Sequence, residues 1–253
     1  MQTSGMLPIV SFSITQHYNI RPEVYNWLGY SSARLRGASD HLNGHGAVPR
    51  IACVGAGGHG QVVADAALSL AQHKLVGFLD DNPSLSGRSI MGLPVLGPIS
   101  AWRDHDIDGL IPAIGANRAR RDVMQRETSR NAKAITIVHP RATVSTWAEL
   151  KAGIVAFAGA IVNAHAKIGQ NVIINTGAIV EHDCEIGDHA HVAPGCYLGG
   201  EVKIGEGSLL GLGSRVLPGV RIGNWCVIGA GAVVTEDVDD HATVVGVPAR
   251  RVR

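Results

Sequence analysis

The sequence predicts a small Rossmann-like α/β domain with a parallel sheet, followed by a left-handed parallel β-helix of hexapeptide repeats. Three observations carry that prediction. An aliphatic or Ala-like residue recurs at every sixth position from Val138 to Asp239, through seventeen hexads without a slip. A second column of small residues lies four positions after each hexad opener. Ahead of the repeat, Ile51 to Ala71 reads as a strand, a glycine-rich turn and a helix. At 253 residues the chain is long enough for two domains of about 100–200 residues each.

Residues 1–49 come first. They are rich in Ser, Gly, Arg and Asn, hold His17, His41 and His45, and show no sustained period. A poorly ordered extension without function is expected there. A targeting peptide would use the Ser-rich stretch around Arg34 and Arg36, but acidic Glu23 and Asp40 argue against one.

Residues 50–137 make the α/β domain. Ile51–Gly55 is a buried strand, Ala56–Gly60 its turn and Gln61–Ala71 a helix. Leu75–Leu79 is a second strand ending in Asp80 and Asp81, and Gly109–Ile114 a third, followed by Gly115–Arg118. Strands alternating with helices predict a parallel sheet, and ligands of such sheets bind beyond the carboxyl ends of the strands, where these three loops converge. Gly55, Gly57 and Gly60 have the spacing G-x-G-x-x-G with Asp80 further on, which taken literally is a dinucleotide fingerprint for NAD. The segment is short for two mononucleotide halves, and no domain with dehydrogenase chemistry follows. What the glycines support more directly is phosphate near backbone N–H groups at a helix N-terminus. The diphosphate of a nucleotide-sugar satisfies that equally well, and a tight turn without ligand is the bland alternative.

Residues 138–253 carry the repeat. A helix of 3.6 residues per turn would smear a six-residue period around its cylinder. A hexapeptide β-helix keeps it, because each hexad is a short strand plus a corner and three hexads close one triangular coil. Residues eighteen apart therefore stack. The openers, from Val138 to Val234, point inward, as do the fourth-step residues such as Ala178, Cys184, Ala190 and Cys196. Glycine at the third step (Gly153, Gly159, Gly177, Gly195, Gly207, Gly213, Gly219 and Gly231) suits corners of positive φ. By itself such a repeat is only scaffold.

Chemistry enters inside the repeat, at Asn175–Cys184. His182 is two residues after the opener Val180, in an outward slot that Gly200 fills one coil later, leaving open space and an accessible N–H beside the imidazole. With Asp183 adjacent, His182 is a candidate general base whose tautomer and basicity the acid sets. A solvated surface histidine is the competing reading. Leu212 and Ala230 hold the same slot on another edge of the prism, and His191 lies half a coil beyond His182, placed to face the same groove. Prisms of this kind pack about a three-fold axis with one edge against a different edge of the neighbour, so a site shared between subunits is expected. A zinc site would need His165, His182, His189 or His191 to converge between chains, since no two of them are eighteen apart. Cys184 points into the core, where a thiol is inert.

Composition narrows the rest. With 22 basic and 21 acidic residues there is no basic excess for nucleic acid or an anionic membrane surface. No run approaches the ~20 apolar residues of a membrane span. Cys53, Cys184, Cys196 and Cys226 read as buried free thiols, which suits a reducing compartment, and a soluble cytoplasmic protein is expected.

Together these motifs resemble the sugar O-acyltransferase family of hexapeptide-repeat transferases. That family includes sialic acid O-acetyltransferases and the N-acetyltransferases of nucleotide-linked 4-amino sugars, of the UDP-bacillosamine or GDP-perosamine type. The second branch is the closer. The resemblance runs from Arg50 to Arg253 and rests on Gly55–Gly60, Phe78–Asp81, Ala113–Arg118, Asn175–Cys184 and Gly246–Arg250. It implies a homotrimer with acetyl-CoA as co-substrate in the groove between neighbouring β-helices, no metal, and a nucleotide-linked amino sugar held by the α/β domain. His182 would match the catalytic base, Asp183 the acid that orients it and Gly200 the oxyanion donor. His191, Leu212 and Ala230 would line the acetyl-CoA groove, Ala230 replacing a Gly of relatives. Gly57, Gly58, His59, Asp80, Asp81 and Gly115 would match the nucleotide-sugar contacts. The activity implied is N-acetylation of the 4-amino group of a nucleotide-activated amino sugar, with O-acetylation of sialic acid or another sugar hydroxyl, and a non-catalytic trimeric scaffold, as alternatives.

Overall fold

The structure, a computed structural model, describes residues 48–252. The poorly ordered extension expected over residues 1–49 therefore lies, apart from Val48 and Pro49, outside the described residues.

The α/β region contains β1 (Arg50–Val54), α1 (Gly58–Leu68), β2 (Lys74–Leu79), the hairpin β3 (Ser89–Ile90) and β4 (Leu93–Pro94), β5 (Gly109–Pro112) and α2 (Asn117–Thr128). Its main sheet is parallel and ordered β2-β1-β5. Three strands make one mononucleotide-sized unit, and the second unit that a dinucleotide would need is missing among the described residues. Helix α1 starts three residues earlier than the sequence reading, because Gly58 and Gly60 belong to its first turn and Gly57 is the N-cap. Packing explains Gly60: a Cβ there would lie 2.1 Å from the carbonyl oxygen of Gly55, so helix and strand meet at bare backbone.

From Ile137 the chain winds into the solenoid. Two-residue strands recur every six residues, from Ile137–Val138 to Val233–Val234, with the hexad opener as the second residue of each. Pairing is parallel and eighteen residues apart, as in Val180 with Leu198, so that each coil contributes one strand to each of three sheets. The openers and the fourth-step residues form one continuous core, and Cys184 and Cys196 belong to it. At the corners every third-step residue from Gly153 to Gly231 has positive φ, the non-glycine residue Asp183 included, at +59°. The period ends after Val234. Val238 bridges Ile222 and Thr243 pairs with Val227, so the last coil closes two residues short, and the hairpin of Thr243–Val245 with Arg250–Arg251 extends one sheet.

The three outer faces differ. One displays Ile137, Val155, Ile173, His191, Leu209 and Val227; its first coils are buried under the α/β region, where Ile137, Val155, Phe157 and Ile173 share a core with Ile51, Cys53 and Val63. A second displays Thr143, Ile161, Ile179, Tyr197, Arg215 and Val233, largely apolar and uncovered. The third is charged, with Glu149, Lys167, Glu185, Lys203 and Arg221 in one column. A charged column of this kind suits solvent. An uncovered apolar face beside it does not.

Candidate active site

His182 stands at the edge between the apolar and the charged face. Its Nδ1 lies 2.9 Å from Asp183 Oδ2, and the two side chains are 57% and 52% exposed. The hydrogen bond that His182 donates to Asp183 raises the imidazole pKa above its ordinary value, helped by the charges of Asp183, Glu181 and Glu201. A bond at Nδ1 leaves Nε2 as the basic nitrogen. The corner conformation of Asp183 turns its carboxylate onto the ring.

Gly200 does not leave an open space, as its slot suggests. The His182 ring occupies it: a Cβ on Gly200 would be 2.6 Å from Nε2 and from Cε1. Glycine is needed so that the Nε2–Cε1 edge of the imidazole can rest against the next coil. The amide of this slot is also free. At each corner it lies outside the strand ladder, and on another edge the residue one coil on supplies an acceptor, Asp188 to Gln170 N and Asn224 to Glu206 N, both at 2.8–2.9 Å. One coil beyond Gly200 is Pro218, which has no side-chain acceptor. Among the described residues no acceptor meets the Gly200 N–H.

The acceptor-binding candidates lie elsewhere. The loops after β1, β2 and β5 converge as expected: Asp80 Oδ2 accepts from Ala56 N at 2.8 Å, and the His59 ring packs 3.6 Å from the Cβ position of Gly115. Gly57 and Gly58 are exposed, with no atom within 4 Å of their Cβ positions. The carboxylates of Asp80 and Asp81 are engaged in holding the loops, Asp80 also with Asn82 N at 2.8 Å and Asp81 with Ile99 N at 2.9 Å.

His191 does not share a groove with His182 within one chain. It lies on the covered face, opposite the His182 edge, where its Nε2 is 3.0 Å from Asn175 Nδ2 and its ring centroid is 6.1 Å from that of His59. Burial, then the Arg120 charge, lower the His59 pKa to about 4, and the same causes with His59 added lower that of His191 to about 3. Leu212, 61% exposed, and Ala230 stand on the edge between the covered and apolar faces. Within one chain, then, His182 and the loops after β1, β2 and β5 occupy different sides of the prism.

Among the described residues no three His, Cys, Asp or Glu side chains are grouped to hold a metal, and His189, one candidate ligand, is buried with Nδ1 2.8 Å from Asn171 Nδ2. The Cys184 thiol is buried 3.2 Å from the Gly199 carbonyl oxygen, and burial pushes its pKa up to about 11, which removes it as a nucleophile. No described helix is long and apolar enough to cross a membrane. Two residues escaped the sequence reading. Glu181 joins Asn163, at 2.8 Å, to Tyr197, at 3.0 Å, beside the His182 edge. Arg120 is fully buried beneath the loop after β5. In a helix reading Asn-Arg-Ala-Arg-Arg-Asp it looks like part of a solvated face; only its spacing with buried Met124 and Glu127 marks the inner side.

Comparison with known proteins follows these two regions. The PglD N-terminal domain matches residues 50–126, and the bacterial transferase hexapeptide (six repeats) matches residues 165–200 and 201–236. Among solved structures, a variant of GDP-perosamine N-acetyltransferase from Caulobacter crescentus, in complex with CoA and GDP-perosamine, is 35% identical with a TM-score of 0.76, over 81% of this chain and 97% of that one. The acetyltransferase domain of PglB from Neisseria gonorrhoeae FA1090, in complex with acetyl coenzyme A, is 34% identical with a TM-score of 0.76, over 81% and 100%. WeeI from Acinetobacter baumannii AYE is 27% identical with a TM-score of 0.72, over 80% and 99%. No curated protein matches the chain.

Proposed function

Since the chain belongs to the hexapeptide-repeat sugar acyltransferases, in the branch that acetylates nucleotide-linked amino sugars, and is an acyltransferase using acetyl-CoA, we propose that it transfers the acetyl group directly to the 4-amino group of a nucleotide-activated amino sugar. The observation that carries the reading is the His182–Asp183 pair lying on Gly200, whose N–H is free. His182 Nε2 takes a proton from the sugar amine as nitrogen attacks the thioester carbonyl. The Gly200 N–H donates to the developing oxyanion. His182 then returns the proton as the C–S bond breaks and CoA leaves as thiol. Base catalysis of this kind contributes typically 10²–10⁴-fold, and an oxyanion donor about 10²–10³.

The acceptor is assigned to Gly57, Gly58, His59, Asp80, Asp81 and Gly115, and the acetyl-CoA groove to His191, Leu212 and Ala230. The working unit is a homotrimer. Supporting it is the apolar face with Ile161, Ile179 and Val233, which runs between the His182 edge and the Leu212 edge. Packing three such faces inward about an axis brings the His182 edge of one subunit against the Leu212 edge and acceptor loops of the next. Four buried free cysteines support a cytoplasmic setting.

Turnover with acetyl-CoA and a panel of UDP- and GDP-linked 4-amino sugars, read by mass spectrometry of the product, tests the activity. A panel without turnover on any member refutes it. Mixed trimers of two inactive variants, His182→Ala and the loop-blocking Gly58→Phe, should regain activity; failure to do so would place each site within one subunit.

A further inference from the structure

Arg120, on α2, is fully buried and makes five hydrogen bonds, all to backbone carbonyls. Its Nη1 donates to Ile114 O at 3.0 Å and to Gly115 O at 3.1 Å, both in the acceptor loop after β5. Its Nε donates to Asn171 O at 3.1 Å, and Nη2 to His189 O at 2.7 Å and Ala190 O at 3.3 Å, all in the solenoid. One guanidinium thus ties the loop that carries Gly115 to two successive coils. Its planar fork is what makes this possible.

No carboxylate among the described residues lies within 4 Å of it. Burial lowers its pKa to about 9, so it remains a cation at neutral pH. A buried charge without a partner is costly and is normally paired. The groups facing it offer no negative charge: His59 and His191 are both held neutral, in part by Arg120 itself. His59 Nε2 is buried and has no hydrogen-bond partner among the described residues. Beside it, Gly57 and Gly58 open α1 with clear space above them and no side-chain cap on the helix. A cation lacking a counter-charge thus lies beneath the Gly115 loop, whose Cβ position is 3.6 Å from the His59 ring, and the turn that carries His59 has an unpaired imidazole nitrogen and an uncapped helix N-terminus.

We propose that Arg120 is the positioning residue of the acceptor site, registering the Gly115 loop on the solenoid and attracting the diphosphate of the acceptor to the Gly57–His59 turn. The diphosphate supplies the missing counter-charge. This rests on the nucleotide-sugar reading given above, which is tested separately by the acceptor panel.

Binding of a nucleoside diphosphate, the corresponding uncharged nucleoside and inorganic pyrophosphate is measured by calorimetry on the full-length protein. Arg120→Met, which removes the nearby charge and the tie on the Gly115 loop, should weaken diphosphate and pyrophosphate about tenfold or more, while changing nucleoside binding by less than about threefold. KM for the amino-sugar nucleotide should rise more than KM for acetyl-CoA. Arg120→Lys, which keeps the charge but not the fork, should recover only part of the diphosphate affinity lost in Arg120→Met. Equal weakening of nucleoside and diphosphate, or no weakening of either, overturns the proposal. If Arg120→Met fails to fold, Arg120→Gln, which also removes the charge, decides: an unchanged diphosphate affinity overturns it. A wild type that binds pyrophosphate but neither the nucleoside diphosphate nor any amino-sugar nucleotide would retain the role of Arg120 and sink the nucleotide-sugar reading.

Discussion

Replacing Gly200 by Ala asks whether His182 acts from the pose it holds. Gly200 is not among the positive-φ residues, so the backbone accepts Ala and the whole perturbation is one methyl group. That carbon would lie 2.6 Å from His182 Nε2 and Cε1 and 3.3 Å from Cδ2, whereas ordinary contact begins at 3.4 Å. The ring must retreat by about 0.8 Å, the difference between the two distances. Misplacing a reacting group by about 1 Å costs on the order of 10²-fold in rate, or about 2.7 kcal/mol of barrier. Because the His182 side chain is 57% exposed, it can swing outward without disturbing the coil, and stability should stay within about 0.5 kcal/mol. Steady-state kcat and a thermal melt, run side by side, separate the two effects. A kcat within about threefold of the wild type would refute the assigned pose. So would a drop in kcat matched by a large drop in Tm, which would mark damage to the coil instead. The double variant with His182→Ala should be no slower than His182→Ala alone, because both changes remove the same function.

Other predictions follow from the same geometry. His182→Ala should lower kcat by about 10²–10⁴-fold with the melting temperature nearly unchanged; Asp183→Asn should lower it less and move the acid limb of the pH–rate profile to lower pH, since the aspartate hydrogen bond is the main cause of the raised pKa. His59 and His191 titrate at about 4 and about 3 when folded and near 6.5 when unfolded. The unfolded chain therefore binds more protons below about pH 6.5, and stability must fall as pH drops from there towards 4. Urea midpoints should show a shallower fall in His59→Gln, and parallel profiles would contradict the burial of a neutral imidazole. Ile161→Lys with Ile179→Lys should dissociate the assembly and abolish turnover, and an active oligomer in sedimentation would rule out the apolar face as the contact. Gly60→Ala should cost at least about 1–3 kcal/mol through overpacking against Gly55, measurable by denaturant unfolding.

Sequence alone revealed the solenoid because a six-residue period is incompatible with a helix and each hexad repeats the same inward pair. It predicted seventeen openers, and each is the inward residue of a strand. Column arithmetic also stacked Gly200 on His182 and sent Cys184 inward. What the columns do not contain is side-chain occupancy or the position of a second domain. The slot at Gly200 looked empty because glycine has no side chain, yet the neighbouring ring fills it. His191 looked close to His182 because only nine residues separate them, yet half a coil carries the chain to another face, under the α/β region. Arg120 was hidden for a similar reason: two other arginines within four residues gave it the look of a wet surface, and only the packed domains show that it faces inward.

Because three hexads close each coil, insertions into this protein fall into two kinds. Eighteen extra residues added before Asn175 would raise the His182 edge by one coil, about 4.7–4.9 Å of strand spacing, and keep it on the same side. Six extra residues would turn everything downstream by one face. His182 would then stand on the edge that now carries Asp188, between the charged and the covered face, and the apolar contact face would be divided among different sides. Length change in this region is therefore quantised in whole coils. A lineage of such enzymes can lengthen its solenoid only in steps of three hexads without dismantling both its site and its contact face.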